Sequence, residues 1–187
     1  MIEHKGTRTL YTQRLKLRRF SVSDADAIFA NWASDPLVAK YVTWDAHPDT
    51  AVTQAVLSVW VEQYERATCY HWGIELDGLL IGGISVVDAS EASGYAEIGY
   101  CIGHAWWGRG IVTEALARVM QYLFEDVGLH RIYLRHDVQN AASGRVMQKC
   151  GLTYEGTLRE HHRRKDGTYA DIALYGILRR EWFERKG

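Results

Sequence analysis

Hydrophobic and polar positions along the chain change period several times, and each change marks an element. Leu15, Leu17 and Arg19 alternate with Lys16, Arg18 and Phe20, so Thr7 to Phe20 reads as a first strand. Ser21 and Ser23-Asp24 then offer N-cap oxygens for a helix that carries Ile28, Phe29 and Trp32 and stops at Asp35-Pro36. A second helix, from about Asp49 to Arg66, presents Val52, Val56, Val59 and Trp60. Tyr70–Leu76 and Leu79–Val87 flank Asp77-Gly78, the dipeptide of a tight hairpin. Gly94 to Ile102 alternates again as a strand. Leu116, Val119, Met120, Leu123, Phe124 and Val127 then recur at helical spacing, with Gly128 placed to end that helix. His130–Val138 is a half-buried strand, and a helix opening at Asn140 follows it. Leu152–Arg163 and Tyr169–Leu178 close the chain as a hairpin through Lys165-Asp166-Gly167.

Between strand and helix the chain reads Trp106-Trp107-Gly108-Arg109-Gly110-Ile111-Val112-Thr113. Strand, glycine turn and helix together are the layout of an anion site. Glycines let the backbone pass close to a ligand, and the first-turn N–H groups have no partner within the helix. A nucleotide-triphosphate loop would need Gly-Lys-Ser or Gly-Lys-Thr, and neither occurs in the chain. A dinucleotide fingerprint would need a third glycine at Thr113 and an acid ending the next strand, but Glu125 and Asp126 end the helix instead.

Two blocks carry a resemblance to a known family. Trp107-Gly108-Arg109-Gly110-Ile111-Val112 is similar to the Q/R-x-x-G-x-G/A diphosphate loop of the GNAT superfamily of N-acyltransferases. It keeps the central glycine, with Trp first and Val last. The segment Asn140-Ala-Ala-Ser143 through Gly151-Leu152 resembles the family's Asn-x-x-Ser-x-x-x-x-x-x-x-Gly-Phe stretch, with Leu152 for the aromatic. Trp-Gly-Arg-Gly followed by Thr113-Glu114-Ala115-Leu116, and Thr12-Gln13-Arg14-Leu15-Lys16-Leu17-Arg18, look like the RimJ/RimL branch.

The resemblance implies a mixed α/β fold of the α+β kind: a mostly antiparallel sheet of about seven strands, one splayed strand pair, and flanking helices. It implies acetyl-CoA as co-substrate, held by the backbone of Tyr100, Cys101 and Ile102, by the loop from Trp107 to Thr113, and by Asn140 and Ser143. Tyr41 and Trp44 fall where the family shapes its acceptor slot, and core packing is the other reading of both.

Chemistry can also be argued from residue types. Amide formation from a thioester needs a neutral amine, a stabilised oxyanion and a protonated leaving thiolate, and no protein nucleophile. Glu97, on the acyl-CoA strand, is the candidate to receive the amine proton, directly or through water; the alternative is an ion-paired strand carboxylate. Ser143 is the candidate partner of the thiolate sulfur or, more plainly, a first-turn cap. Cys101 is the one candidate for a covalent route and otherwise a small strand residue.

Composition narrows the picture further. The chain has 187 residues, 47% of them hydrophobic, and reads as one domain spanning 1–187. Lys and Arg number 22 against 23 Asp and Glu, so overall charge gives no case for a nucleic-acid partner. Cys69, Cys101 and Cys150 are odd in number and far apart, which speaks against a disulfide framework or a zinc site. With no signal-like apolar run at the N-terminus and no membrane-length stretch, a cytoplasmic location with no membrane partner is expected. His161-His162-Arg163-Arg164-Lys165 reads as a solvated hairpin end, and most of the Trp residues read as core.

These readings lead to an acetyl-CoA-dependent N-acetyltransferase acting on a primary amine, such as a protein N-terminus or a small molecule. No metal is needed, and a homodimer is left open. Competing classes are a non-catalytic acyl-CoA sensor and a CoA-independent interaction module.

Overall fold

A computed structural model describes residues 2–185; Met1, Lys186 and Gly187, included in the expected domain, lie outside the described residues. One eight-stranded sheet in the order β1-β2-β3-β4-β5-β6-β8-β7 forms the frame. Its strands are β1 Leu10–Tyr11, β2 Leu15–Arg18, β3 His71–Leu76, β4 Leu79–Ser90, β5 Tyr95–Ile102, β6 Arg131–Asp137, β7 Thr153–Arg163 and β8 Tyr169–Leu178. All neighbours run antiparallel except β5 and β6. The eighth strand arises because the expected first strand is broken: Thr12 to Arg14 turn the chain, and Leu10 pairs with Leu17 in a short hairpin.

Local chemistry accounts for most boundaries. Asp77 and Gly78 both take left-handed φ (51° and 80°), which joins β3 to β4 with the twist a two-residue hairpin needs. Ser21 and Asp24 form a capping box. The first helical region is less regular than its pattern predicts: α1, Ala25–Ile28, lies between a 3₁₀ turn and a π turn, Phe29–Ala33. Asp35 then caps the short α2, Pro36–Ala39, with Pro36 at the first helical position. Asp49 caps α3, Thr50–Gln63, by accepting from the Val52 N–H. The buried face of α3 is Thr53 and Leu57, whereas Val52 and Val59 face solvent, so the expected apolar stripe is rotated.

Helix α4, Ile111–Gln121, continues as a π turn to Val127 and stops at left-handed Gly128. Helix α5 is Ala141–Lys149, and α6 is Arg179–Glu184. The larger core packs Ala115, Leu116, Val119, Met120, Leu123 and Phe124 against Trp72, Ile84, Ile98, Ile132 and Leu134. A second cluster gathers Phe20, Ile28, Trp32, Leu57, Tyr64 and Leu80. Alternation in β5 divides the strand between them: Ala96, Ile98, Tyr100 and Ile102 belong to the α4 core, and Cys101 packs against the α1–α3 cluster. Most of the Trp residues do belong to these cores, but Trp107 is half exposed.

His71 on β3 lies edge-on between Phe20 and Trp60, with centroids 4.9 and 4.5 Å away. Burial pushes its imidazole down to about 4. The unfolded chain therefore takes up this proton first. The stability His71 contributes is complete above an unfolded value of about 6.5 and is lost as pH falls toward 4, by roughly 2 to 3 kcal/mol. Urea unfolding at pH 7 and pH 4.5 is expected to show that loss, and His71→Phe is expected to flatten it; an identical pH profile in the variant would remove His71 as its cause.

Candidate active site

Strands β5 and β6 pair only through Tyr95↔Arg131, Ala96↔Ile132 and Glu97↔Tyr133. Beyond Glu97 they part: β5 stays on β4 as far as Gly82↔Ile102, and β6 stays on β8 as far as Asp137↔Ile172. A parallel pair that opens in this way leaves backbone N–H and C=O groups of β5 facing a gap, where an extended chain can add like a strand.

The glycine loop lies just beyond the end of β5. Gly108 and Gly110 both adopt left-handed φ (74° and 73°), and a Cβ at Gly108 would meet nothing within 4 Å. Helix α4 starts at Ile111, and its first backbone bond runs from the Glu114 N–H to the Gly110 carbonyl, 3.1 Å. The N–H groups of Ile111, Val112 and Thr113 precede that bond, which is the donor set a diphosphate requires. On the other side of the gap, Asn140 caps α5 by accepting from the Ser143 N–H, 3.4 Å.

Tyr100 crosses from β5 to α5. Its hydroxyl lies 2.8 Å from Ser143 Oγ, and it also donates to the Ser143 carbonyl at 3.3 Å. Burial pushes the Tyr100 hydroxyl well above its ordinary range, with Ser143 pulling modestly the other way, so it stays a proton donor at neutral pH. Glu97 points to the opposite face and is only 5% exposed. Its carboxylate accepts from Arg135 Nε at 2.7 Å and from the Tyr133 hydroxyl at 3.1 Å. The gap is thus flanked by hydroxyls on the α5 side and by a fixed carboxylate on the other.

A family model described as an acetyltransferase (GNAT) domain matches residues 14–153. The chain belongs to the GNAT family. As a GNAT chain it is an acetyl-CoA-dependent N-acetyltransferase, with acetyl-CoA as co-substrate. An uncharacterised N-acetyltransferase of Bacillus licheniformis is 30% identical, with 93% of this chain and 98% of the relative covered. The ribosomal protein uS5-alanine N-acetyltransferase of Escherichia coli is 28% identical, with 92% of both covered. Among solved structures, RimL, a ribosomal L7/L12 α-N-protein acetyltransferase in complex with coenzyme A, superposes with a TM-score of 0.83. It shares 19% identity over 91% of this chain and 98% of its own, a likeness of fold.

Within this GNAT chain the residues singled out from sequence take definite places. Ile102 does not offer its carbonyl freely, because the Trp107 indole N–H donates to it at 2.9 Å. The Trp107 ring rests edge-on against His104, 4.9 Å between centroids. Cys101 is partly buried, and burial pushes its thiol up to about 11, with a Gly83 backbone contact acting the other way; it is a thiol at neutral pH and unsuited to a covalent route. Val112 and Leu152, two of the departures from the family pattern, pack with the α4 core, and Leu152 is buried.

Tyr41 and Trp44 lie on the loop between α2 and α3. Tyr41 is 37% exposed with the Lys40 ammonium 5.0 Å above its ring, while Trp44 packs against the cluster that also receives Cys101. The basic hairpin end differs in part from its expected solvated state. Lys165 Nζ donates to the Ala39 carbonyl at 2.9 Å and to that of Trp44, and it pairs with Asp45 at 3.1 Å. Arg164 grips both oxygens of Asp137 at 2.7 and 3.0 Å. The β7–β8 turn therefore ties the Tyr41–Trp44 loop to the end of β6, through Lys165 contacts that span 121 and 126 positions and that no local pattern signals. Among the described residues no helix is long and apolar enough to cross a membrane, and no group of His, Cys, Asp and Glu could hold a metal.

Proposed function

We propose that this chain, as one domain, transfers the acetyl group of acetyl-CoA directly to an N-terminal α-amine of a protein, within a ternary complex. The parting of β5 and β6 immediately after Glu97 carries the reading. The diphosphate is held by the amides of Gly110 to Thr113 at the start of α4, and the pantetheine arm lies along Tyr100 and Cys101. The acyl oxygen meets a β5 backbone N–H near Tyr100, a donor of the kind worth about 3 kcal/mol in the transition state. Glu97 receives the amine proton through a water, and Arg135 and Tyr133 fix its orientation. The Tyr100–Ser143 hydroxyl pair supplies a proton to the leaving thiolate. Tyr41 and Trp44 wall the acceptor side, on the same face of the sheet as Cys101.

Amine basicity supports the α-amine. Freeing a lysine amine of pKa about 10.4 at pH 7 costs roughly 4.6 kcal/mol, against about 1.4 for an α-amine near 8. A carboxylate already committed to two hydrogen bonds suits the second task. The uS5-alanine and RimL enzymes, both named for protein α-amine acceptors, support the same class. A panel of N-terminal peptides, free amino acids, polyamines and lysine peptides, followed by free-thiol release, tests it. Peptides with a free α-amine are expected to turn over fastest. Turnover confined to small amines would replace this acceptor class, and CoA binding without turnover on any amine would favour a sensor.

A further inference from the structure

The break in the first strand, which Thr12 closes locally by accepting from the Leu15 N–H at 2.8 Å, also grips one carboxylate. Glu114 stands in the first turn of α4, directly after the amides assigned to the diphosphate, where a negative charge opposes an incoming anion even as it favours the helix. Its carboxylate is held from the turn between β1 and β2. Thr12 Oγ1 donates to Glu114 Oε1 at 2.6 Å and the Arg14 N–H does so at 3.0 Å. Arg14 Nε donates to Oε2 at 2.7 Å, with Nη2 also 2.7 Å from that oxygen. Burial, the largest influence, works to raise the Glu114 carboxyl, but the Thr12 and Arg14 bonds outweigh it and hold the group below the usual range.

Arg14 has a second task. Its Nη1 donates to the Arg109 carbonyl at 3.2 Å, inside the glycine loop. In a trans peptide the carbonyl of Arg109 and the N–H of Gly110 point in opposite directions, so a carbonyl drawn toward Arg14 turns that amide away from it. Arg14 thereby cancels the charge of Glu114 and sets the orientation of the Arg109–Gly110 peptide at once.

We infer that the Thr12–Arg14 turn is a positioning element for acetyl-CoA, in which Arg14 masks Glu114 and aims the loop amides at the diphosphate. This rests on the reading of the glycine loop as the diphosphate site. Arg14 itself acts through the loop and contacts no reacting atom.

Calorimetry with CoA, and turnover with acetyl-CoA and with S-acetylpantetheine, which lacks the diphosphate, test the inference. Arg14→Gln is expected to weaken CoA binding about tenfold while leaving the KM for S-acetylpantetheine unchanged. Glu114→Gln added to Arg14→Gln is expected to recover much of the lost affinity, because the exposed carboxylate is gone. Arg14→Lys keeps the charge but not the fork and is expected to fall between. Unaltered CoA affinity in Arg14→Gln, an equal loss for S-acetylpantetheine, or a double variant no better than the single one would each overturn it. Wild-type protein that fails to bind CoA would instead overturn the diphosphate reading, an outcome distinct from these.

Discussion

Glu97→Gln is expected to lower kcat for an amine acceptor by about 10² or more, the scale on which a positioned general base contributes. Glutamine matches glutamate in shape, and its amide oxygen can still accept from Arg135 or Tyr133. Little else changes: the Arg135 side chain is 47% exposed, so water can take up the bond it loses. CoA affinity is expected to stay the same, because Glu97 faces away from α4 and α5. Steady-state thiol release and calorimetry on one preparation separate the two quantities. An unchanged kcat would leave Glu97 as a structural ion-pair partner, and a matching loss of CoA affinity would place it on the wrong side of the gap.

Gly110→Val is expected to act on the other half of the reaction. Gly110 holds φ 73° at the N-cap of α4, a conformation that a β-branched residue reaches only under strain. At about 1–3 kcal/mol, relief of that strain by moving the loop would cost roughly 5- to 150-fold in CoA affinity. Ile111, the next residue, is already buried in the α4 core, so the fold of the variant has to be checked beside its affinity. The measurement is CoA calorimetry beside a thermal melt. Affinity equal to wild type in a folded Gly110→Val protein would show that these amides do not hold the ligand.

Sequence made legible what is decided locally. The Asp77-Gly78 hairpin, the Gly128 stop, the Asn140 cap and the glycine loop each follow from residues within a few positions of one another. Features set by distant partners could not be read in the same way. The Thr12–Arg14 turn is closed locally, with Thr12 Oγ1 accepting from the Leu15 N–H at 2.8 Å, but the carboxylate that Arg14 grips lies a hundred residues away. Helix α3 carries apolar residues nearly all round, so its pattern did not select Thr53 and Leu57 over Val52 and Val59 as the buried face. The same holds at the site. Glu97 and Ser143 stood out by their place in the chain, but their partners, Arg135 with Tyr133 and Tyr100, are fixed by the sheet and by the reach of α5.

The central claim is that the backbone of β5 and of the α4 N-terminus grips acetyl-CoA where β5 and β6 part. Amide hydrogen exchange with and without CoA reads those groups directly. Slowed exchange is expected at residues 98–102, 108–114 and 140–144, with little change on β1 and β7. Protection located elsewhere, or none at saturating CoA, would contradict it.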